Sequence, residues 1–255
     1  MDSFKNLLPL TPPWHVGMKY AGQTVEWLPT DTEESYRKLI QEPQHREYFR
    51  QHGWDRPGAI TYKINSQGFR SEEFDSSAPS VVTLGCSYSM GIGLPLECIW
   101  PTLIGQQLGL TVWNLSWPGT SADTCFMLAQ YWIPQLQPKL VVMCAPPKHR
   151  VDLITEDPQL PHNTYMPGMN NITDQAIQQW LINDRNADLN NAKNKLAVQG
   201  LCAELGIECL TYDAHEYFAR SREEVEYARD YMHAGPRGHK MFAERILDDW
   251  RKKYT

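Results

Sequence analysis

From Ser80 onward, apolar positions along the chain follow two alternating rhythms. "SVVTLG", "LTVWNLS", "KLVVMCA" and "IECLTYD" are short runs dominated by apolar and β-branched residues, the pattern of strands buried on both faces. "ECIWPTLIGQQLG", "SADTCFMLAQYWIPQL" and "LNNAKNKLAVQGLCAELG" lie between these runs, and "PRGHKMFAERILDDWRKKY" follows the last. These four space their apolar residues at helical intervals. Pro101 suits a first helical turn and Gly109 a helix end, while Ser121 or Asp123 offers a cap. Strands alternating with helices predict an α/β fold, a three-layer α/β/α sandwich with a mainly parallel sheet.

Before Ser80 the pattern is less regular. Residues 1–58, rich in Trp, Tyr and Pro, read as an N-terminal extension packed on a core domain of residues 59–255. "TDTEESYRKLI" predicts a helix capped by Thr30 or Asp31, with Pro43 breaking it. "QHREYFRQHG" predicts a second helix ending at Gly53. "AITYKIN" (59–65) alternates like a strand. The polar stretch 151–188 predicts a long excursion near the strand ends.

Composition narrows the function. Lys and Arg number 24 against 30 Asp and Glu, a net charge of −6 without a dense basic run, so a nucleic-acid partner is not expected. The six cysteines form no CxxC pair and read as reduced thiols. No His/Cys spacing suggests a metal, and no cofactor motif is complete. "MDSFKNLLPLTPPWHVG" has no apolar run long enough for a leader or a membrane span, which predicts a cytoplasmic protein.

The stretch "VVTLGCSYSMGIGLP" (81–95) is the first candidate for chemistry. It lacks the lysine of a phosphate loop, the third glycine of a dinucleotide fingerprint and the G-x-S-x-G of a nucleophile elbow. What remains is Ser87, two residues beyond a strand-ending glycine, where a base could activate it and its own N–H could face an oxyanion. Asp230 and His233, three residues apart before the last helix, could supply that base. Blander readings stand beside these. Ser87 could cap a helix, Gly119 could be a turn glycine, Lys148, His149 and Arg150 could be solvated loop charges, and His239 reads as structural.

Taken together, these blocks resemble the SGNH (GDSL-like) hydrolase family. Gly85-Cys86-Ser87-Tyr88-Ser89-Met90-Gly91 matches its G-D-S-x-[ST]-x-G block. "NLSWPG" places Asn114 and Gly119 where its second block stands. Asp230 and His233 match its final D-x-x-H, continued by Gly238, His239 and Ala243. The resemblance spans roughly residues 60–248 and implies a flavodoxin-like sheet topology. It also implies a serine esterase or carbohydrate O-deacetylase. In that role Ser87 is the nucleophile, His233 the base and Asp230 its orienting acid, and the N–H groups of Ser87 and Gly119 bind the oxyanion. The substrate would be a small-molecule or carbohydrate ester. Two departures stand out. Cys86 replaces the aspartate of the first block. The oxyanion Asn of the third block has no counterpart, because "PPKHRVD" follows the third strand; Lys148, His149 or Arg150 is the possible substitute. A noncatalytic carbohydrate-binding or assembly protein, or an O-acyltransferase, stays open as an alternative.

Overall fold

The computed structural model describes residues 16–154, 162–167, 175–219 and 226–254. Its strands are β1 (Thr24–Val25), β2 (Tyr62–Lys63), β3 (Ser80–Leu84), β4 (Thr111–Asn114), β5 (Leu140–Ala145), β6 (Val151–Ile154), β7 (His162–Tyr165) and β8 (Glu208–Asp213). Its α-helices are α1 (Glu33–Leu39), α2 (Pro43–Gln51), α3 (Ser87–Met90), α4 (Trp100–Leu108), α5 (Ala122–Leu136), α6 (Gln175–Ile182), α7 (Asp184–Glu204) and α8 (Pro236–Tyr254).

The main sheet runs β4-β3-β5-β8, with every pairing parallel. Numbered from β3, this is the 2-1-3-4 order of a flavodoxin-like sheet. β3 and β5 are buried along their whole length, as central strands covered on both faces must be. The period of two sorts their side chains. Val82, Leu84, Val141 and Met143 pack with Leu128 and Ile133 of α5 and Val198 and Leu201 of α7. Val81, Leu140, Val142 and Cys144 pack with Trp100 and Ile104 of α4 and Phe242 and Ile246 of α8. The result is the three-layer sandwich expected. Each such buried aliphatic side chain contributes about 1.5–3 kcal/mol, which fixes the strand ends that carry the site.

Several boundaries differ from the sequence expectation. Of "AITYKIN" only Tyr62 and Lys63 are strand, and they pair antiparallel with β1, outside the main sheet. The Asn65 side-chain oxygen accepts the N–H groups of Gln67 and Phe69, curling the chain into a turn. The helix expected from Glu97 begins at Trp100, after a 3₁₀ turn (Leu96–Cys98). The Trp100 N–H is satisfied from another helix, by His239 Nδ1 at 3.1 Å. Thr32, not Thr30 or Asp31, caps α1, accepting the Ser35 N–H. Pro43 opens α2. The excursion 151–188 holds the antiparallel β6–β7 hairpin and α6. Asn183 caps α7, so that helix begins at Asp184 rather than near Leu189. Residues 155–161 and 168–174 of the excursion lie outside the described residues, as do residues 1–15 of the extension.

Residues of the N-terminal segment form a third core with the loop after α3. Leu28, Phe49, Trp54, Ile60, Tyr62 and Ile64 pack with Met90, Ile92, Leu94, Trp117 and Ala228. Among the described residues no helix is long and apolar enough to cross a membrane.

Candidate active site

β3 delivers the chain to Gly85 at the carboxyl edge of the sheet, where ligands of such folds bind. A Cβ on Gly85 would lie 2.2 Å from Ser89 Oγ and 2.9 Å from the Cys144 carbonyl oxygen. Only glycine lets Ser89 and the end of β5 approach the chain this closely. Cys86 is fully buried beneath the turn, and Ser87 opens the single-turn helix α3.

The second component is the loop before α8. Asp230 Oδ1 accepts the N–H groups of Met232 at 3.0 Å and His233 at 3.1 Å. Asp230 Oδ2 lies 2.6 Å from His233 Nδ1, and His233 Nε2 lies 2.7 Å from Ser87 Oγ. An ionised carboxylate only accepts, so the proton sits on Nδ1 and Nε2 is left to accept from the serine hydroxyl. Burial acts to raise the Asp230 carboxyl. The hydrogen bond and charge of His233, then the Thr30 hydroxyl and the Met232 N–H, outweigh burial and hold the carboxyl below the ordinary aspartate range. Tyr88 meets the His233 ring edge-on at 4.9 Å and stacks on Phe218 at 5.0 Å, walling the imidazole in place.

The turn after β4 flanks Ser87 on the other side. Asn114 Nδ2 donates to the Ser89 carbonyl, and Thr120 Oγ1 donates to the Gly85 carbonyl, tying this turn to the serine turn. Gly119 has φ +80°, and a Cβ there would meet nothing within 4 Å; the backbone conformation, not space, calls for glycine. Among the described residues the N–H groups of Ser87 and Gly119 donate no hydrogen bond.

Lys148, His149 and Arg150 each have partners other than the serine. Lys148 pairs with Asp184 at 2.9 Å and Asp188 at 2.8 Å. His149 Nδ1 lies 2.7 Å from the Leu181 carbonyl, and its Nε2 lies 3.2 Å from Asp184. Arg150 donates to the Thr120 carbonyl at 3.0 Å, bracing the turn that carries Gly119. His239 is buried, with Nδ1 on the Trp100 N–H.

Sequence reasoning missed the residues that hold this site. Arg70 is buried and donates to the carbonyls of Met90, Gly91, Leu94 and Thr61, clamping the loop after α3. Burial lowers its guanidinium to about 10. Asp31 accepts two hydrogen bonds from Arg229, at 2.9 and 2.7 Å, and one from the Tyr62 hydroxyl. That hydroxyl in turn accepts the Gly93 N–H. Thr30 donates to Asp230 Oδ2. For Thr30 and Asp31 the local signal is the cluster of aromatics in residues 1–58 that surrounds them.

No family model matches the chain, and no curated protein sequence matches it. Among solved structures it is similar to a putative lipolytic protein of the G-D-S-L family from Desulfitobacterium hafniense. That match is 14% identical, covers 66% of this chain and 98% of the other, and has a TM-score of 0.36. An acetyl xylan esterase from Butyrivibrio proteoclasticus is 12% identical, over 69% of this chain and 64% of that one, with a TM-score of 0.39. A psychrotrophic esterase from Pseudoalteromonas sp. is 11% identical, over 68% and 97%, with a TM-score of 0.38. By its parallel 2-1-3-4 sheet between two helical layers, the chain is a three-layer α/β/α sandwich with flavodoxin-like strand order.

Proposed function

We propose that the protein is a serine hydrolase of carboxylic esters, of the esterase or carbohydrate O-deacetylase type. The observation that carries this reading is the unbroken chain from Ser87 Oγ through His233 to Asp230, with links of 2.7 and 2.6 Å. Ser87 Oγ attacks the ester carbonyl while its proton passes to His233 Nε2. The tetrahedral oxyanion faces the N–H groups of Ser87 and Gly119. Collapse expels the alcohol, which takes the proton from Nε2 and leaves an acyl-serine. Water then repeats the sequence, releasing the acid and restoring Ser87. Asp230 holds the imidazole in the required tautomer and balances its transient charge.

A second reading is a noncatalytic carbohydrate-binding or assembly protein on this fold. The stretch Pro146-Pro147-Lys148 after β5 favours it, because it holds no asparagine to supply the side-chain amide that the family's third block gives the oxyanion, and the prolines add no backbone N–H in its place. An O-acyltransferase uses the same acyl-serine with a sugar hydroxyl in place of water.

The test is intact-mass analysis after treatment with a fluorophosphonate, which captures only activated serines. The esterase reading expects one adduct on the wild-type chain and at least a ~10⁴-fold slower reaction in Ser87→Ala and His233→Ala, with both variants folded. A folded wild-type chain that takes no adduct shifts the assignment to the binding reading.

A further inference from the structure

We propose that Thr30 is a positioning residue of the site, a fourth member of the Ser87–His233–Asp230 chain supplied by the N-terminal segment; this rests on the hydrolase reading above.

The Asp230 side chain is fully buried. A carboxylate offers about four acceptor positions, and four protein donors fill them. Oδ1 takes the N–H groups of Met232 and His233, and Oδ2 takes His233 Nδ1 and Thr30 Oγ1. Three of the four come from the loop that carries Asp230. The fourth comes from a residue 200 positions away. Without it, one face of a buried carboxylate is unsatisfied, and Oδ2 can swing away from the imidazole it must orient. Hydrogen bonds to ionised groups are stronger than those between neutral groups.

The segment is built to hold Thr30 there. Two consecutive residues face two consecutive residues: Asp31 grips Arg229 while Thr30 grips Asp230. The Leu28 N–H donates to the Asp31 carbonyl and the Thr32 N–H to the Thr30 carbonyl, closing the turn. Both side chains of the Asp31–Arg229 pair are 1% exposed, so that pair already staples the seam. The Thr30 hydroxyl is therefore free to serve the carboxylate. The same segment reaches the other flank, where Tyr20 stacks on Trp117 at 5.7 Å, two residues before Gly119.

Thr30→Val removes the hydroxyl at nearly constant shape, and Thr30→Ser keeps it. Two readouts apply: the low-field proton resonance of His233 Nδ1–H, and the rate of fluorophosphonate addition to Ser87. In Thr30→Val the resonance should move and the rate fall roughly tenfold. Thr30→Ser should restore both. The proposal is overturned by a folded Thr30→Val with the wild-type resonance and rate, or by Thr30→Ser behaving like Thr30→Val. It is also overturned if Thr30→Val lowers the melting temperature while its folded fraction keeps the wild-type resonance. An unlabelled wild-type chain defeats the hydrolase reading alone, and the resonance still decides whether Thr30 holds the Asp230–His233 pair.

Discussion

The two flanks of Ser87 are built differently. On the histidine flank three buried groups are held by several partners each: His233 between Ser87 and Asp230, Asp230 on four donors, and Arg229 locked to Asp31 and lying 4.1 Å from the Trp27 ring. On the Gly119 flank the turn is held by Thr120 and Arg150, and Lys148 is paired with carboxylates of α7. Under the hydrolase reading the difference is one of chemistry. An imidazole must be aimed, and aiming takes several fixed contacts. An oxyanion donor needs only an N–H pointing the right way.

The sharpest way to break this contrast is at the Asp31–Arg229 pair. Asp31→Asn keeps size and one oxygen but leaves a buried guanidinium without its counter-charge. Removing one partner of a buried ion pair costs about 3–5 kcal/mol. Urea denaturation should show that loss, with the 228–233 loop loosened and serine labelling reduced. A loss under 1 kcal/mol would mean the histidine flank does not depend on the N-terminal segment.

A smaller effect lies beneath the same flank. His239 is buried against Phe218 and accepts the Trp100 N–H. Burial, then the nearby charges of His233 and Arg70, lower it from 6.5 to about 3. Between those values the unfolded chain binds the proton and the folded one does not. Its contribution is therefore fully present above pH 6.5 and is lost as pH falls toward 3, at up to about 1.4 kcal/mol per pH unit. That amounts to roughly 3 kcal/mol by pH 4. Wild-type stability should fall more steeply with acid than that of His239→Gln, by close to one proton. Equal slopes would mean that the imidazole takes up its proton without unfolding.

Local features were legible and distant ones were not. The runs "SVVTL" and "LVVMCA" announce buried strands because burial on both faces favours near-continuous apolar and β-branched residues over an alternating pattern. Asp230 and His233 could be paired because a three-residue turn joins them. Thr30 could not be found this way. In "TDTEE" three consecutive residues are competent helix caps, and only partners some 200 residues away assign Thr32 to α1 and release Thr30 and Asp31 for the site. Arg70 was hidden for the same reason, since its partners are backbone carbonyls that any sequence supplies.

The smallest expected effect tests the other flank. "PPKHRVD" offers three cationic or potentially cationic side chains just past the end of β5, and sequence alone cannot say where they point. In the structure, Asp184 and Asp188, one turn apart on α7, capture Lys148. The pair is largely exposed, with Lys148 at 35% and the two aspartates at 74% and 64%, so water and salt screen it and its worth is about 0–1 kcal/mol. Lys148→Ala should therefore change neither the rate of serine labelling nor the melting temperature by more than a small margin. Asp184→Ala combined with Asp188→Ala, which frees the lysine, separates two possibilities. Unchanged labelling in both variants would leave the oxyanion to backbone N–H groups. A tenfold or greater loss in Lys148→Ala alone would mean that the ammonium leaves its carboxylates during the reaction and serves the oxyanion, and the Gly119 flank would then be as deliberately furnished as the histidine flank.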